Sequence, residues 1–369
     1  MMAVAPDPST LTVLLSTNLA DKDLADALEF LNRADCGSYL QRPDWPALCP
    51  PPARHRYVVL RAFAHNRLVG IALARLTWLG PGRFLATLRR GPVAESVDDL
   101  AAVVGAMAEK LRLIGVCTMV VNPRYSDEMA LQAVTVLQGL GAVLLPGSEQ
   151  ALHRATLMVD LPQGPDSTAQ LEASLKQRCR RQIRRAEAMG LTVRPVETLQ
   201  EAMLYEPIMA DFYTRRGLSR ENLPSVATMF QMTQENGAFL LGWFEGRPIC
   251  GHTVIADGNR AFWLTMASLN VNGDLPKNYL LIYKALQIVI AQGFTQYDMA
   301  GAQSLRSVAV PENDNGTDNA AQLREQFKLA FDPRHVELMP AMMLALRPVA
   351  HGVLYGLRRK LRSVAGRTK

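Results

Sequence analysis

The sequence has few cysteines, no histidine cluster and no long apolar run, and each absence excludes a class of protein. Its 5 cysteines are scattered with no Cys-x-x-Cys pair, so neither a disulfide framework nor a structural zinc site is expected. None of the 6 histidines has a partner at ligand spacing, so no metal site is expected. No apolar stretch reaches the roughly 18 residues that a membrane-spanning helix needs. Asp7, with no basic residues before the first apolar run, argues against a secretory signal, so we expect a cytoplasmic protein.

The bulk composition is that of an ordinary globular protein. Apolar residues make up 49% of the chain and charged residues 20%, with a net charge of +6. A chain of 369 residues is long for a single core, which favours two domains. The Pro- and Gly-containing break at residues 162–165 predicts a boundary there, with domains at 1–162 and 163–369.

The segment 176–185 is the most unusual part of the chain, because it carries six positive charges in ten residues. A capping-box pattern at Ser167 and a glycine at Gly190 predict one helix over residues 167–189. Helical periodicity places five apolar residues on one stripe: Leu171, Leu175, Cys179, Ile183 and Ala186. The charges occupy the rest of the circumference: Lys176, Arg178, Arg180, Arg181, Arg184 and Arg185.

Two interpretations of this basic helix are open. Crowded like charges repel, and a bound polyanion would offset that cost, since phosphates draw much of their protein affinity from Lys and Arg. Alternatively, the helix presents a solvated face whose charges are balanced by acidic residues elsewhere in the fold. The repulsion favours the polyanion.

A helix, a hairpin and a helix that leads into a strand occur twice along the chain. Residues 57–70 and 239–251 both read as hairpins, with tight turns expected at Asn66-Arg67 and Gly246-Arg247. Residues 111–121 and 289–298 both read as a helix end, a glycine and a strand, at nearly the same spacing from the hairpins. The sequence therefore predicts two α/β domains of like topology, each with a mixed sheet.

This order of elements resembles the acetyl-CoA-binding N-acyltransferase (GNAT) fold in tandem. Members with one domain have a glycine-rich turn that binds pyrophosphate at a helix N-terminus. Neither half has that turn, and Asp274 is expected where the pyrophosphate would bind. We therefore expect no coenzyme A and no other cofactor.

The tandem arrangement resembles the FemABX family of non-ribosomal aminoacyltransferases. Six segments carry the resemblance in family order: Gln41 to Trp45, the basic run, 212–217, 276–281, 297–301 and 327–331. The resemblance implies transfer of an amino acid from aminoacyl-tRNA to an amine acceptor, with the basic helix on the tRNA. A peptidoglycan precursor peptide is the family's acceptor, and a small molecule or natural-product peptide is the alternative. The lysine that often follows the family's tryptophan is absent here, since Pro46 and uncharged residues follow Trp45.

The same resemblance implies a set of site residues. Lys328 and Asp298 are the predicted catalytic residues, for oxyanion stabilisation and for orienting or deprotonating the amine. The predicted substrate-binding residues are Arg215, Arg216, Trp263, Gln41, Trp45 and Tyr279. Some of them also have a structural interpretation: Lys328 as a surface lysine, Asp298 as a turn cap, one of the two arginines as a charge at a helix C-terminus, and Trp263 as a core residue. His252 is expected to be structural.

Other possibilities remain. In the first, the chain is an acyl-CoA-dependent N-acyltransferase. In the second, it is a non-catalytic protein that binds RNA or anionic lipid. The C-terminal segment 353–364 is basic and amphipathic and predicts a terminal helix that contacts the inner membrane surface. We expect a monomer.

Overall fold

Two sheets organise the chain in the computed structural model, which describes residues 11–52, 55–221, 223–234, 236–271, 273–304 and 326–355. Their contacts divide these residues into two units. The first unit contains residues 11–154 and 337–355, and the second contains residues 155–304 and 326–336.

The strands, in chain order, are β1 (Thr12–Ser16), β2 (His55–Ala64), β3 (Arg67–Gly80), β4 (Arg83–Arg90), β5 (Val93–Ala94), β6 (Val116–Pro123), β7 (Val143–Leu144), β8 (Ala155–Asp160), β9 (Thr192–Pro195), β10 (Gly237–Phe244), β11 (Arg247–Asp257), β12 (Arg260–Ser268), β13 (Gln296–Asp298), β14 (Arg334–Glu337) and β15 (Met342–Ala345). The helices are α1 (Asp21–Arg33), α2 (Trp45–Leu48), α3 (Leu100–Leu113), α4 (Asp127–Gly139), α5 (Ser167–Ser174), α6 (Gln177–Ala188), α7 (Leu199–Ala202), α8 (Tyr205–Arg215), α9 (Val226–Met232) and α10 (Lys277–Ala291). Short 3-10 turns lie at Tyr39–Gln41, Gly147–Glu149 and Leu329–Phe331, and a final helical stretch covers Pro348–Ala350 and His351–Tyr355.

In the first unit the strand order is β1-β2-β3-β4-β6-β15-β7, and β5 pairs with β3. Strands β4 and β6 are parallel, and α3 is the crossover between them. Every residue of β6 is buried, as expected for a central strand that is covered on both faces. Helix α3 packs on β1, β2, β5 and β6 and closes this core.

The domain boundary differs from the sequence-based expectation of 1–162 and 163–369. Strand β8, which precedes the Pro-Gly break, pairs antiparallel with β13 in the second unit. Strand β15, near the end of the described chain, pairs with β6 and β7 in the first unit. The break at 162–165 therefore follows the first strand of the second unit, and composition carries no signal for the return of β15.

In the second unit the strand order is β14-β8-β13-β12-β11-β10-β9. Strands β12 and β13 are parallel, and α10 is the crossover between them. Helix α10 is buried along most of its length because it packs against α6, β10 and β11. The predicted mixed α/β architecture is confirmed in both units.

The predicted repeat is also confirmed, with each hairpin turn one residue earlier than expected. The turns are His65-Asn66 and Glu245-Gly246, and both residues of each have positive φ, the conformation of the turns that best join twisted antiparallel strands. Gly70 and Gly251 hold matching positions in the two hairpins. A Cβ atom would approach Val103 within 2.6 Å at the first and Tyr205 within 2.6 Å at the second, so each glycine permits a side chain to pack on the strand.

The basic segment forms two helices, so the prediction of one helix over 167–189 is wrong. Leu175 and Lys176 are extended between α5 and α6, where the Lys176 amide donates to the carbonyl oxygen of Ala330. Ser167 does not cap the first helix, because Asp166 holds the cap position and makes no side-chain capping bond. The predicted apolar stripe is nevertheless correct, since all five of its residues are buried.

Candidate functional site

The exposed face of α6 is a basic surface, which we define as Arg178, Arg181, Arg184 and Arg185. All four side chains are exposed, and in the described part of the chain none of them has an ion pair or a hydrogen bond. Arg178, Arg181 and Arg184 line a cavity of about 660 Å³ together with Gln177 and Arg180. Among the residues that the structure describes, the alternative in which acidic residues balance these charges therefore finds no support.

Two other cations of the predicted set have local partners. Nη1 of Arg180 donates to the carbonyl oxygens of Glu172 and Ala173, both at 3.1 Å, and so caps the end of α5. Lys176 lies 3.6 Å from Asp332 in an exposed ion pair. Only the four arginines of the basic surface thus remain available to a ligand in the described residues.

Helix α10 packs against the buried face of α6 and so supports the basic surface. Cys179, Ile183 and Ala186 of α6 are buried in the core that α10 dominates. The Tyr283 hydroxyl donates to the Glu172 carboxylate on α5 and accepts from Nε2 of Gln287 at 2.9 Å. Burial, and then the Glu172 carboxylate, raise the pKa of Tyr283, so it remains a neutral donor.

A cavity of about 280 Å³ lies at the N-terminus of α10 and brings three predicted residues together: Arg215, Arg216 and Tyr279. Ser268, at the end of β12, also lines this cavity. Tyr279 packs edge-on against Phe327 at 4.8 Å between ring centroids. The cavity is therefore a basic pocket with an aromatic wall, which suits a phosphate or carboxylate attached to a larger group.

The structure distinguishes the two arginines. Arg215 donates from Nε to Asp211 and from Nη2 to the Ser268 carbonyl oxygen, both at 2.8 Å. Arg216 has no carboxylate partner in the described residues, and its guanidinium lies 5.7 Å from the Phe212 ring centroid. Arg215 therefore positions the wall of the cavity, while Arg216 is available to an anion.

Sequence reasoning missed Lys277 and Asn278, which line the same cavity in the first turn of α10. Nζ of Lys277 donates to the Val271 carbonyl oxygen at 2.6 Å. Burial lowers the pKa of Lys277; the nearby Cys250 opposes this shift and Arg215 adds to it. The Asn278 Oδ1 atom is buried and has no hydrogen bond. The sequence signal that could have identified Lys277 and Asn278 was their position in the 276–281 segment, one of the six segments that carry the FemABX resemblance.

Asp274 lies in the segment just before α10, at the edge of this cavity. It is exposed and does not line the cavity at the N-terminus of α10. Its chain neighbours Gly273 and Leu275 both line that cavity, whose charged lining residues are Arg215, Arg216 and Lys277. The repulsion of a pyrophosphate by Asp274 stays a prediction.

Lys328 lies at the C-terminal end of β13. Its ammonium donates to the carbonyl oxygens of Ala300 and Gly301, the latter at 2.9 Å, and lies 5.2 Å from the ring centroid of Trp263. Trp263 is half-buried, so the structure brings together these two predicted site residues. Carbonyl oxygens and an aromatic face both stabilise a positive charge.

Asp298 is buried to 2% exposure, and its Oδ1 atom accepts hydrogen bonds from Thr156 Oγ1 and, at 2.9 Å, from the Ala300 amide. These bonds fix the turn that presents the carbonyl oxygens to Lys328. These bonds support the turn-capping interpretation, while the role of Asp298 in orienting or deprotonating the amine stays a prediction.

Trp263 rests on a buried network beneath the site. The His252 ring lies edge-on to Trp263 at 5.1 Å between centroids. Nδ1 of His252 donates to the Thr265 carbonyl oxygen at 2.7 Å, so Nε2 accepts from the Tyr297 hydroxyl at 2.6 Å. Burial lowers the pKa of His252 to about 4, which keeps the ring neutral. His252 is therefore structural, as expected from the sequence.

Gln41 and Trp45 lie in the core of the first unit, and this corrects their predicted role in substrate binding. Gln41 is fully buried; its Nε2 donates to the Arg89 carbonyl oxygen at 2.6 Å and its Oε1 accepts from the Leu73 amide at 2.8 Å. Trp45 is 3% exposed and packs against Tyr39. Both residues pack their loop against the sheet of the first unit, and neither exposes a surface that a substrate could contact.

The comparisons with known proteins agree with this fold. Residues 173–305 match the family described as "Acetyltransferase (GNAT) domain". The structure is similar to that of FemX with a TM-score of 0.73 and 14% identity, over 93% of this chain and 99% of FemX. The resemblance to FemABX proteins drawn from the motifs is thus matched by a structural likeness over nearly the whole chain. No curated protein matches the sequence.

Two more distant structures share the fold. L-PGS from Bacillus licheniformis has a TM-score of 0.51 and 12% identity, over 94% of this chain and 97% of that one. The C-terminal domain of a putative lysylphosphatidylglycerol synthetase from Agrobacterium fabrum has a TM-score of 0.51 and 12% identity, over 87% and 90%. The chain thus has a tandem GNAT fold.

Among the described residues, no helix is long and apolar enough to cross a membrane. Nor do the described residues contain three His, Cys, Asp or Glu side chains grouped to hold a metal ion. The C-terminal basic segment expected to form a helix lies largely outside the described residues, which end at Tyr355.

Proposed function

We propose that this protein is a FemABX-type aminoacyltransferase that moves an amino acid from charged tRNA to an amine. The observation that carries the proposal is the basic surface: four exposed arginines with no carboxylate partner in the described residues. Phosphates of a nucleic acid are the ligand class that such a surface favours. The likeness to FemX and the GNAT match support the acyl-transfer part.

The proposed reaction is aminolysis of an ester. The amine nitrogen attacks the aminoacyl carbonyl, a C–N bond forms, the C–O bond to the tRNA 3′ end breaks, and the amine proton leaves with the released 3′ oxygen. An aminoacyl ester is already activated, so the protein mainly has to align the two partners and stabilise the oxyanion.

The described residues divide these tasks. The basic surface binds the tRNA backbone, and Lys328, held by carbonyl oxygens over Trp263, supplies positive charge to the oxyanion. Arg216 and Lys277 bind an anionic group of the acceptor or of the tRNA 3′ end in the cavity beside α10. A peptidoglycan precursor peptide and a small amine or peptide both remain within the proposed acceptor class, and the protein is proposed to act in the cytoplasm as a monomer.

The test is charge reversal on the basic surface. The double variant Arg181→Glu with Arg184→Glu is compared with Arg67→Glu with Arg247→Glu, two exposed arginines that follow the hairpin turns. Binding of charged tRNA is measured by gel shift, and transfer by mass spectrometry. The first variant should lower affinity at least about tenfold and flatten its salt dependence, because each phosphate contact contributes to the slope. Equal tRNA affinity of both variants and the unmodified protein excludes the proposal.

A second candidate is an acyl-CoA-dependent N-acyltransferase. The basic lining at the N-terminus of α10 favours it, because such a site also suits a pyrophosphate. The test is to incubate nuclease-treated, tRNA-free protein with an acyl-CoA and an amine. Formation of the acylated amine supports this candidate. Tight RNA binding without product from any donor decides instead for a non-catalytic binding protein.

A further inference from the structure

One end of the first unit's sheet carries large apolar side chains in contact with solvent. Trp78, near the end of β3, is 62% exposed; Leu113, the last residue of α3, is 74% exposed; and Val349 is 84% exposed. Isolated exposed apolar residues are common, but a contiguous group of them marks an interaction surface. We define Trp78, Leu113, Ile114 and Val349 as the apolar end.

Backbone contacts place these residues together. Trp78 lies directly opposite Phe84 in the β3–β4 pairing, and the Phe84 amide donates to the Gly115 carbonyl oxygen at 3.1 Å, one residue after Ile114. Nη2 of Arg347 donates to the Arg112 carbonyl oxygen at 3.0 Å. This bond holds the segment that contains Val349 against the end of α3. Three chain segments therefore meet at this end of the sheet.

The charges around the apolar end are positive. Arg83, Lys110 and Arg347 have no carboxylate partner in the described residues. The acidic residue nearest along the chain, Glu109, is already paired with Arg112 at 2.9 Å.

We propose that the apolar end docks on the surface of an anionic lipid bilayer. A tryptophan with aliphatic neighbours suits the interfacial layer, where an amphipathic ring lies at the level of the headgroups, and the surrounding cations suit anionic headgroups. A second copy of the chain fits less well, because a symmetric dimer would bring each patch of unpaired cations against its own copy. The proposal goes beyond the proposed function and does not depend on the acyl donor.

The test uses vesicles of phosphatidylcholine with phosphatidylglycerol, and vesicles of phosphatidylcholine alone. Co-sedimentation of the full-length protein is compared with that of Trp78→Ala, Leu113→Glu and Val349→Glu. Leu131→Glu is the control, because Leu131 is also exposed but lies on α4. All four positions are exposed, so the variants should fold, which circular dichroism verifies.

We expect binding to the anionic vesicles that weakens as salt is added, and a blue shift of tryptophan emission that Trp78→Phe removes. Each variant at the apolar end should bind about tenfold more weakly, while the Leu131→Glu control binds as the unmodified protein does.

Three results overturn the proposal. The first is no binding of the unmodified protein to anionic vesicles, or equal binding to phosphatidylcholine alone. The second is vesicle binding that all three variants retain and that is lost when four basic residues are replaced by glutamine: Arg358, Arg359, Lys360 and Arg362. The contact with the bilayer then lies in the C-terminal segment. The third is a change of oligomeric state in the variants with unchanged vesicle binding, which assigns the surface to self-association.

Discussion

The Tyr297 hydroxyl donates to Nε2 of His252 at 2.6 Å, and both side chains are fully buried beneath Trp263. Because Nδ1 of His252 donates to the Thr265 carbonyl oxygen, the imidazole is held as one neutral tautomer. This pair supports the tryptophan that faces Lys328, and so connects the interior of the second unit to the candidate site.

Replacing Tyr297 with phenylalanine should lower the free energy of unfolding by about 1–3 kcal/mol, because the Nε2 acceptor of His252 remains buried without a donor. Urea denaturation measures this. Tyr283→Phe is the matched control: it also removes a hydroxyl–side chain bond, but Glu172 is exposed and can bond to water instead. An equal loss in the two variants contradicts the assignment.

Stability should fall between about pH 6.5 and pH 4 because of His252. Its pKa is about 4 in the folded protein and near 6.5 when unfolded, so in this window the unfolded state binds the extra proton. The His252 contribution is fully present above pH 6.5 and decreases by on the order of 3 kcal/mol as the pH falls to 4. His252→Gln should therefore show a flatter dependence of unfolding free energy on pH. An unchanged dependence rules out this origin.

Lys328→Met should reduce the transfer rate by about 100-fold to 1000-fold with little change in tRNA affinity, because the charge acts on the oxyanion and not on the bound donor. Lys284→Met is the matched control, since the Lys284 ammonium also lies over an aromatic ring, that of Tyr283, at 5.6 Å. Single-turnover rates measured by mass spectrometry decide. A larger effect on affinity than on rate would instead assign Lys328 to binding.

Arg215 and Arg216 should behave differently when each is replaced by alanine. Arg215→Ala removes a partly exposed ion pair and should cost about 0.5–1 kcal/mol of unfolding free energy. Arg216→Ala should leave stability unchanged and raise the acceptor KM, because it removes a charge that makes no ion pair in the described residues. Thermal unfolding and steady-state kinetics separate the two effects. The reverse pattern shows that the roles are exchanged.

Much of the fold could be predicted from local pattern. The hairpins, the strand–helix–strand crossovers and the buried stripe of the basic segment each follow from periodicity and turn residues within short windows. The interruption at Leu175 and Lys176 could not be predicted, because it depends on a contact with Ala330, which is distant in sequence.

The candidate site was predicted in part. Arg216, Tyr279, Trp263 and Lys328 lie in or beside the cavities and contacts described above. Residue type alone does not reveal whether a polar side chain faces a ligand or its own backbone, and for this reason Gln41 was misassigned. The same limit explains why Lys277, a lysine at an ordinary helix start, was missed.

Strand β15 lies between β6 and β7, although roughly 200 residues of chain separate it from them. On the ribosome, the sheet of the first unit therefore stays incomplete while the entire second unit is made, and β6 and β7 present unpaired edges until then. A chain that stops before Met342 leaves both edges open and prone to association with other strands. The first unit consequently depends for its own closure on a strand that is made only after the second unit.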